Sequence, residues 1–241
     1  MPAEKFEEFF RRLKRNGFAG GNITIPHKEA AFRLVDRRER AAEAIGAVNT
    51  VWYEGDTLVG GNTDWYGIVA SLDDIHPGWD AAPGKVVVLG AGGSARASVF
   101  AFLEREYSIA IVNRTRERAE KLAAQFGPRV SVHGHESLPQ LLAGADVLIN
   151  NTSLGMTGKP PLEIDLAPLK TSAIVYDVVY VPLETALLRC AKAAGHRTVD
   201  GLSMLLYQAV NGFAHWFGVT PKVTAEQRAL LEADIRAKTG T

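Results

Sequence analysis

The chain has one cysteine in 241 residues, no excess of either charge, and no apolar run long enough to span a bilayer. A lone thiol forms no intramolecular disulfide, and Cys190 falls in the apolar pattern Ala186-Leu187-Leu188-Cys190-Ala191, which reads as a structural thiol in a reducing compartment. Lysine plus arginine and aspartate plus glutamate are equal at 27 each, so no net field favours nucleic acid or an anionic membrane. No signal-peptide pattern, repeat or low-complexity segment occurs, and a cytoplasmic chain is expected. Apolar material is ample. Hydrophobic residues make up 46% and charged residues 22%, enough for the core of one large domain or two modest ones.

The chain is organised around residues 86 to 95, where the apolar run Val86-Val87-Val88-Leu89 meets Gly90-Ala91-Gly92-Gly93-Ser94-Ala95. The run reads as a buried parallel strand. Gly90 and Gly92 allow a tight turn, Ala95 allows close packing, and a helical pattern follows through Arg96, Val99, Phe100 and Leu103. Free amides at that helix start suit an anion such as a dinucleotide pyrophosphate. The alternative is a strand-turn-helix connection with no ligand. A second apolar strand, Ser108 to Val112, ends at Asn113-Arg114-Thr115-Arg116-Glu117-Arg118. An acidic residue there would bind a ribose hydroxyl, whereas Asn113 with Arg114 and Arg118 suits a 2′-phosphate, so NADP is the expected cofactor rather than NAD. The competing reading makes these arginines a solvated helix face.

Upstream, Phe6, Phe9, Phe10 and Leu13 fall at helical spacing over 4 to 15, and Asn16-Gly17 is expected to stop that helix. Phe18 to Lys28 reads as a short strand broken at Pro26, with Asn22 and Thr24 on one face. Helices are expected from Lys28 to Val35 and near Arg37 to Ala44. A hairpin follows, Gly46 to Tyr53 returning over Thr57 to Gly61, and then a helix opening at or near Asp64. Residues 76 to 84 are turn-rich and read as a linker. From 85 to 200 strands alternate with helices, as in a doubly wound parallel sheet, and a long helix after Gly201 is expected to cross back to the first domain.

Asn22 to Lys28, Gly46 to Thr50, Gly61 to Asp64, Gly90 to Ser94, Asn113 to Thr115, Asn150 to Ser153, Tyr176 to Tyr180, and Asp200-Gly201 with Met204 and Gln208 together resemble the shikimate dehydrogenase family, in the family's order. The resemblance implies a two-domain α/β chain. A Rossmann-type sheet over 84–201 would bind NADP, beside a smaller substrate domain over 1–75 completed by 202–241. It implies NADPH-dependent reduction of 3-dehydroshikimate to shikimate in the cleft between them. Lys28 would be the acid/base residue and Asp64 its partner at the same substrate region, with Thr24, Asn49, Tyr180 and Gln208 on substrate hydroxyls. Gly90, Ala91, Gly92, Gly93, Ser94, Asn113, Arg114, Thr115, Arg118 and Thr152 would hold the cofactor, and Val178, Gly201 and Met204 would flank the nicotinamide. No metal is expected.

Two departures stand out. Members of the family begin with a β-α-β segment carrying a Ser-x-Ser-Pro motif for the substrate carboxylate, and no such motif occurs in these residues. The first sheet is therefore expected to expose an edge and apolar faces that favour a homodimer, and carboxylate binding is expected to be weak. Trp65 follows Asp64 where many members have glycine, which is expected to alter the cleft mouth. Two alternatives remain at this stage: a quinate-type paralogue acting on a related cyclic polyol acid, and a non-catalytic NADP-binding module.

Overall fold

A computed structural model describes residues 2–239 of the chain. In order, the first half contains α1 (Ala3–Arg11), β1 (Gly20–Asn22), α2 (Lys28–Leu34), β2 (Arg37–Arg38), α3 (Arg40–Ile45), β3 (Thr50–Glu54), β4 (Thr57–Gly61) and α4 (Asp64–Ile75). The second half contains β5 (Lys85–Leu89), α5 (Gly93–Leu103), β6 (Ser108–Val112), α6 (Arg116–Phe126), β7 (Val130–His133), α7 (Leu138–Ala143), β8 (Val147–Asn150) and β9 (Ile174–Asp177). It ends with α8 (Ala186–Ala193), β10 (Arg197–Val199), α9 (Gly201–Phe217) and α10 (Ala225–Thr239).

The later strands form a six-stranded, wholly parallel sheet in the order β10-β9-β8-β5-β6-β7. This is the doubly wound order, with the switch point between β5 and β8, where such sheets bind dinucleotides. Each central strand feeds two cores. Along β5, Val86 and Val88 face one cluster with Phe102, Tyr107 and Ile111, while Val87 and Leu89 face the other with Leu148, Val175 and Leu187. The expected linker is anchored rather than free. Trp79 stacks on Tyr107 and meets Phe102 edge-on, and the Tyr107 hydroxyl donates to its carbonyl at 2.8 Å.

The earlier strands form a four-stranded mixed sheet, β1-β3-β4-β2, over a core of Phe6, Phe10, Leu13, Val48, Val51 and Leu58. Several boundaries differ from expectation. Arg37 and Arg38 pair with Val59 and Gly60 as a strand instead of opening a helix, because the Asp36 and Glu39 amides donate to the Leu58 and Gly60 carbonyls. The strand expected over 18–28 shrinks to Gly20–Asn22. Pro26 has no amide to continue a ladder, and the Thr24 carbonyl accepts from His27 to turn the chain. The first helix ends at Arg11, and single turns carry Leu13 into the core. Cys190 is exposed, since Leu187, Leu188 and Ala191 form the inward stripe of α8.

Two helices join the sheets. The α4 residues Ile68, Val69 and Leu72 share a core cluster with Val86 and Val88 of β5. α9 starts beyond β10 and reaches the small sheet, where Trp216 Nε1 donates to the Val51 carbonyl at 2.9 Å and His215 stacks on Trp52. α4 and α9 cross so closely that a Cβ on Gly67 would stand 2.7 Å from the Met204 carbonyl oxygen. On the far side Arg96 of α5 donates to the Ile45 carbonyl at 3.3 Å, and Gln125 of α6 donates to the Ala44 carbonyl at 2.6 Å. Both thereby hold the end of α3.

α10 is clamped by one arginine. Arg228 donates to Asp200 Oδ2 at 2.6 Å, to Ser203 Oγ at 2.8 Å and to Glu232 at 2.8 Å, while Asp200 caps α9 by accepting from the Ser203 amide at 2.8 Å. Burial works to raise the Asp200 carboxyl, but the Arg228 hydrogen bond and then the Ser203 amide override it and hold the group below the usual carboxylate value. A lowered folded-state pKa adds stability above the unfolded value, and that stability is lost as pH falls through the folded one. Arg228→Ala is therefore expected to cost about 1–3 kcal/mol at neutral pH. It should also flatten the loss of Tm that the wild type shows below about pH 4. Thermal melts across pH check this, and an unchanged acid limb would contradict it.

Candidate active site

The β3-β4 hairpin pairs Thr50 with Gly61, so the residues flanking those positions, Asn49 and Asn62 to Asp64, lie side by side. β1 pairs Asn22 with Thr50, and the Ile23 amide donates to the Asn49 carbonyl, bringing the chain leading to Lys28 alongside. The Val48 amide then donates to the Lys28 carbonyl at 3.0 Å. Thus three segments distant in sequence converge at the end of the small sheet.

Lys28 Nζ lies 2.5 Å from Asp64 Oδ2, with the side chains 13% and 5% exposed. The other carboxylate oxygen, Oδ1, accepts from Asn49 Nδ2 at 2.8 Å. Asn49 is a hub. Its Oδ1 accepts from the Thr63 amide at 2.7 Å and the Thr50 hydroxyl at 3.0 Å, and its Nδ2 also reaches Gln208 Oε1 at 3.3 Å. The pair is thus a desolvated ammonium and carboxylate whose carboxylate is held in place from behind. Lys28 is the first residue of α2, a position where the helix dipole disfavours a cation, so helix stability does not account for it. Its stem lies against the glycine turn, for a Cβ on Gly93 would be 3.3 Å from Lys28 Cδ. Lys28 and the glycine turn of the large sheet therefore face the same space.

Of the expected substrate residues, the structure brings Asn49, Asp64 and Gln208 into one network with Lys28. Thr24 is exposed on the turn before His27, and Tyr180 is half-buried in the loop after β9; neither is bonded to that network. Trp65 is half-buried and packs edge-on against Phe100 of α5, with ring centroids 5.6 Å apart. Asn62 escaped the sequence reading as a support residue. It donates to the Ala47 carbonyl at 2.9 Å and accepts from the Asp64 amide at 3.1 Å, and only pairing across the hairpin reveals this.

At the large sheet, Gly90 adopts φ +108°, and a Cβ there would press on the Asn151 carbonyl at 3.2 Å. No side chain caps α5, whose first amides belong to Gly93, Ser94 and Ala95, and a Cβ on Gly92 would meet open space. Ser94 Oγ reaches the Asn151 carbonyl at 3.4 Å, and the buried Asn151 Nδ2 beside this turn has no hydrogen-bond partner. Past β6, Asn113 donates to the Thr115 carbonyl at 2.7 Å and shapes the turn into α6. Arg116 is paired with Glu120 at 2.8 Å, whereas Arg114 and Arg118 are exposed and form no ion pair among the described residues. Thr152 donates to Asn150 Oδ1 at 2.7 Å, and Val178, Gly201 and Met204 cluster where β9 and α9 meet. Among the described residues, no group of three or more His, Cys, Asp or Glu side chains is placed to hold a metal ion. An uncapped helix at a glycine turn, an orphan buried amide beside it, and two unpaired arginines where a 2′-phosphate would lie all fit a phosphorylated dinucleotide.

A doubly wound sheet whose glycine turn lies against a largely shielded lysine-aspartate pair, held by two helices at the end of a second sheet, fits a nicotinamide-dependent oxidoreductase. Comparison with known proteins narrows the class. Residues 1–51 match the family model described as shikimate dehydrogenase substrate binding domain, and residues 75–157 match that of shikimate / quinate 5-dehydrogenase. The shikimate dehydrogenase (NADP(+)) of Mesorhizobium japonicum is 57% identical over 98% of this chain and 84% of its own length. The Thermus thermophilus shikimate 5-dehydrogenase solved with NADP(H) and shikimate has a TM-score of 0.81 at 33% identity, covering 98% of this chain and 85% of that one. The Corynebacterium glutamicum quinate dehydrogenase solved with NAD has a TM-score of 0.85 at 31% identity, covering 94% of this chain and 82% of that one. The chain belongs to the shikimate dehydrogenase family.

Proposed function

We propose that the chain reduces 3-dehydroshikimate to shikimate with NADPH, reversibly, in the cleft between its two sheets, as a step of aromatic amino acid biosynthesis. The observation that carries the reading is the Lys28–Asp64 pair, with the lysine stem against the glycine turn of the dinucleotide sheet. Bound NADPH supplies a hydride to the ketone carbon. Reduction leaves an alkoxide that needs a proton, and the Lys28 ammonium is placed to donate it and to accept it back in the reverse direction. Asp64 holds that ammonium in position while remaining a hydrogen-bond acceptor for a substrate hydroxyl. Asn49 and Gln208, with Thr24 and Tyr180 nearer the cleft mouth, hold the other hydroxyls. Gly90 to Ser94, Asn113 to Thr115, Arg118 and Thr152 hold the cofactor, and Val178, Gly201 and Met204 border its nicotinamide.

The division of labour follows the sheets: a substrate domain over 1–75 completed by 202–241, and an NADP domain over 84–201. The bond from Trp216 on α9 to Val51 on β3 supports the completion. Among the described residues β1 pairs only with β3, and Ile25, Phe213 and Phe217 are exposed, which supports a homodimer closed over this edge. No helix among the described residues is long and apolar enough to cross a membrane, and a single cysteine suits the cytoplasm.

The likeness to a quinate dehydrogenase with NAD supplies a second reading, a related cyclic polyol acid as substrate. Oxidation rates on shikimate and quinate, each with NADP and NAD, separate the two. The expected result is the highest kcat/KM for shikimate with NADP, and a preference for quinate with NAD would replace this reading with the second.

A further inference from the structure

Asp177 closes β9 with no exposed surface, and the chemistry above does not use it. Its Oδ1 accepts from Asn150 Nδ2 at 2.9 Å and from the Val179 amide at 3.1 Å, and its Oδ2 accepts from Thr185 Oγ1 at 2.7 Å. Asn150 passes the connection on: its Oδ1 accepts from the Thr152 amide at 3.0 Å and the Thr152 hydroxyl at 2.7 Å. Thr152 Oγ1 in turn accepts from the Leu154 amide at 3.1 Å. One carboxylate therefore ties the ends of β8 and β9 together at the carboxyl edge of the sheet, where the Thr152 and Val178 loops leave it. Among the described residues no cation balances it. Burial pushes this carboxyl up to about 6, against the lowering by the Thr185, Val179 and Asn150 hydrogen bonds. Burying an unpaired carboxylate is costly, and packing alone would be served as well by an apolar side chain.

We propose that Asp177 is a positioning residue for the cofactor, fixing Thr152 through Asn150 and fixing Val178 through the Val179 amide. It acts through these residues and touches neither substrate nor cofactor. The inference rests on the reading above that Thr152 and Val178 border NADP.

The test compares NADPH dissociation constants and melting temperatures of the full chain and its variants. Asp177→Ala, Asn150→Ala and Thr152→Ala are each expected to weaken NADPH binding about tenfold. The Asp177→Ala, Asn150→Ala double variant is expected to be no weaker than the worse single one, because both act along one path. Asp177→Asn keeps an oxygen for Asn150 and Val179, and should return binding to within about threefold. Leu187→Ala, in the core that covers one face of the large sheet, should lower the melting temperature without changing the constant for folded protein. If Asp177→Ala does not fold, Asn150→Ala decides between the outcomes. Constants within about twofold of wild type for folded Asp177→Ala and Asn150→Ala, beside a weakened Thr152→Ala, overturn the proposal and leave the cofactor reading standing. An unaffected Thr152→Ala overturns both.

Discussion

Lys28→Ala is expected to lower kcat by about a hundredfold or more while the NADPH dissociation constant stays within about twofold of wild type. On the proposed reading the ammonium protonates the developing alkoxide, and water reaching the same point would be neither oriented nor charged. Removing it also strands the Asp64 carboxylate, whose side chain is only 5% exposed, and an uncompensated buried charge costs about 3–5 kcal/mol of stability. Lys28→Met strands Asp64 likewise but keeps the apolar stem against Gly93, so it leaves no cavity beside the glycine turn. Turnover near the wild-type value in folded Lys28→Met would remove Lys28 from the chemistry and leave the pair as a structural bridge.

The second large effect concerns cofactor choice. Arg114 and Arg118 are exposed without a carboxylate partner among the described residues, while Arg116 between them is engaged by Glu120. A charge-assisted hydrogen bond contributes about 1.5–3 kcal/mol, so replacing both arginines with alanine should weaken NADPH binding about a hundredfold or more. NADH has no 2′-phosphate, and its binding should change less than about threefold. Unchanged NADPH binding would return these arginines to the role of a solvated surface, and equal losses for the two cofactors would place them on a part that both share.

Much of the large sheet was legible in the sequence because its strands are buried on both faces and read as unbroken apolar runs. Val86 to Leu89 and Ser108 to Val112 each fall on a strand, and the alternation with helices gave the doubly wound class. The small sheet was less legible. Its two edge strands are only two and three residues long, and the backbone bonds that pair Arg37 and Arg38 with β4 are announced by no side-chain pattern. Lys28 and Asp64 were nameable only through the resemblance, since a lysine at a helix start is ordinarily a solvated residue. What the sequence did not carry was the support. Asn62 behind Asp64, Arg228 reaching back to Asp200, and Asp177 joining Asn150 to Thr185 all depend on tertiary neighbours. A lone acid or arginine has no periodicity to betray its partner. Cys190 fails for a related reason: its run is apolar, but the burial stripe of α8 passes it by.

The most direct measurement is the loss of NADPH absorbance on titrating the chain with 3-dehydroshikimate. The account requires substrate-dependent oxidation that saturates and is lost in Lys28→Met. NADPH bound but not oxidised at any 3-dehydroshikimate concentration would contradict it, and would leave a dinucleotide-binding module in place of a dehydrogenase.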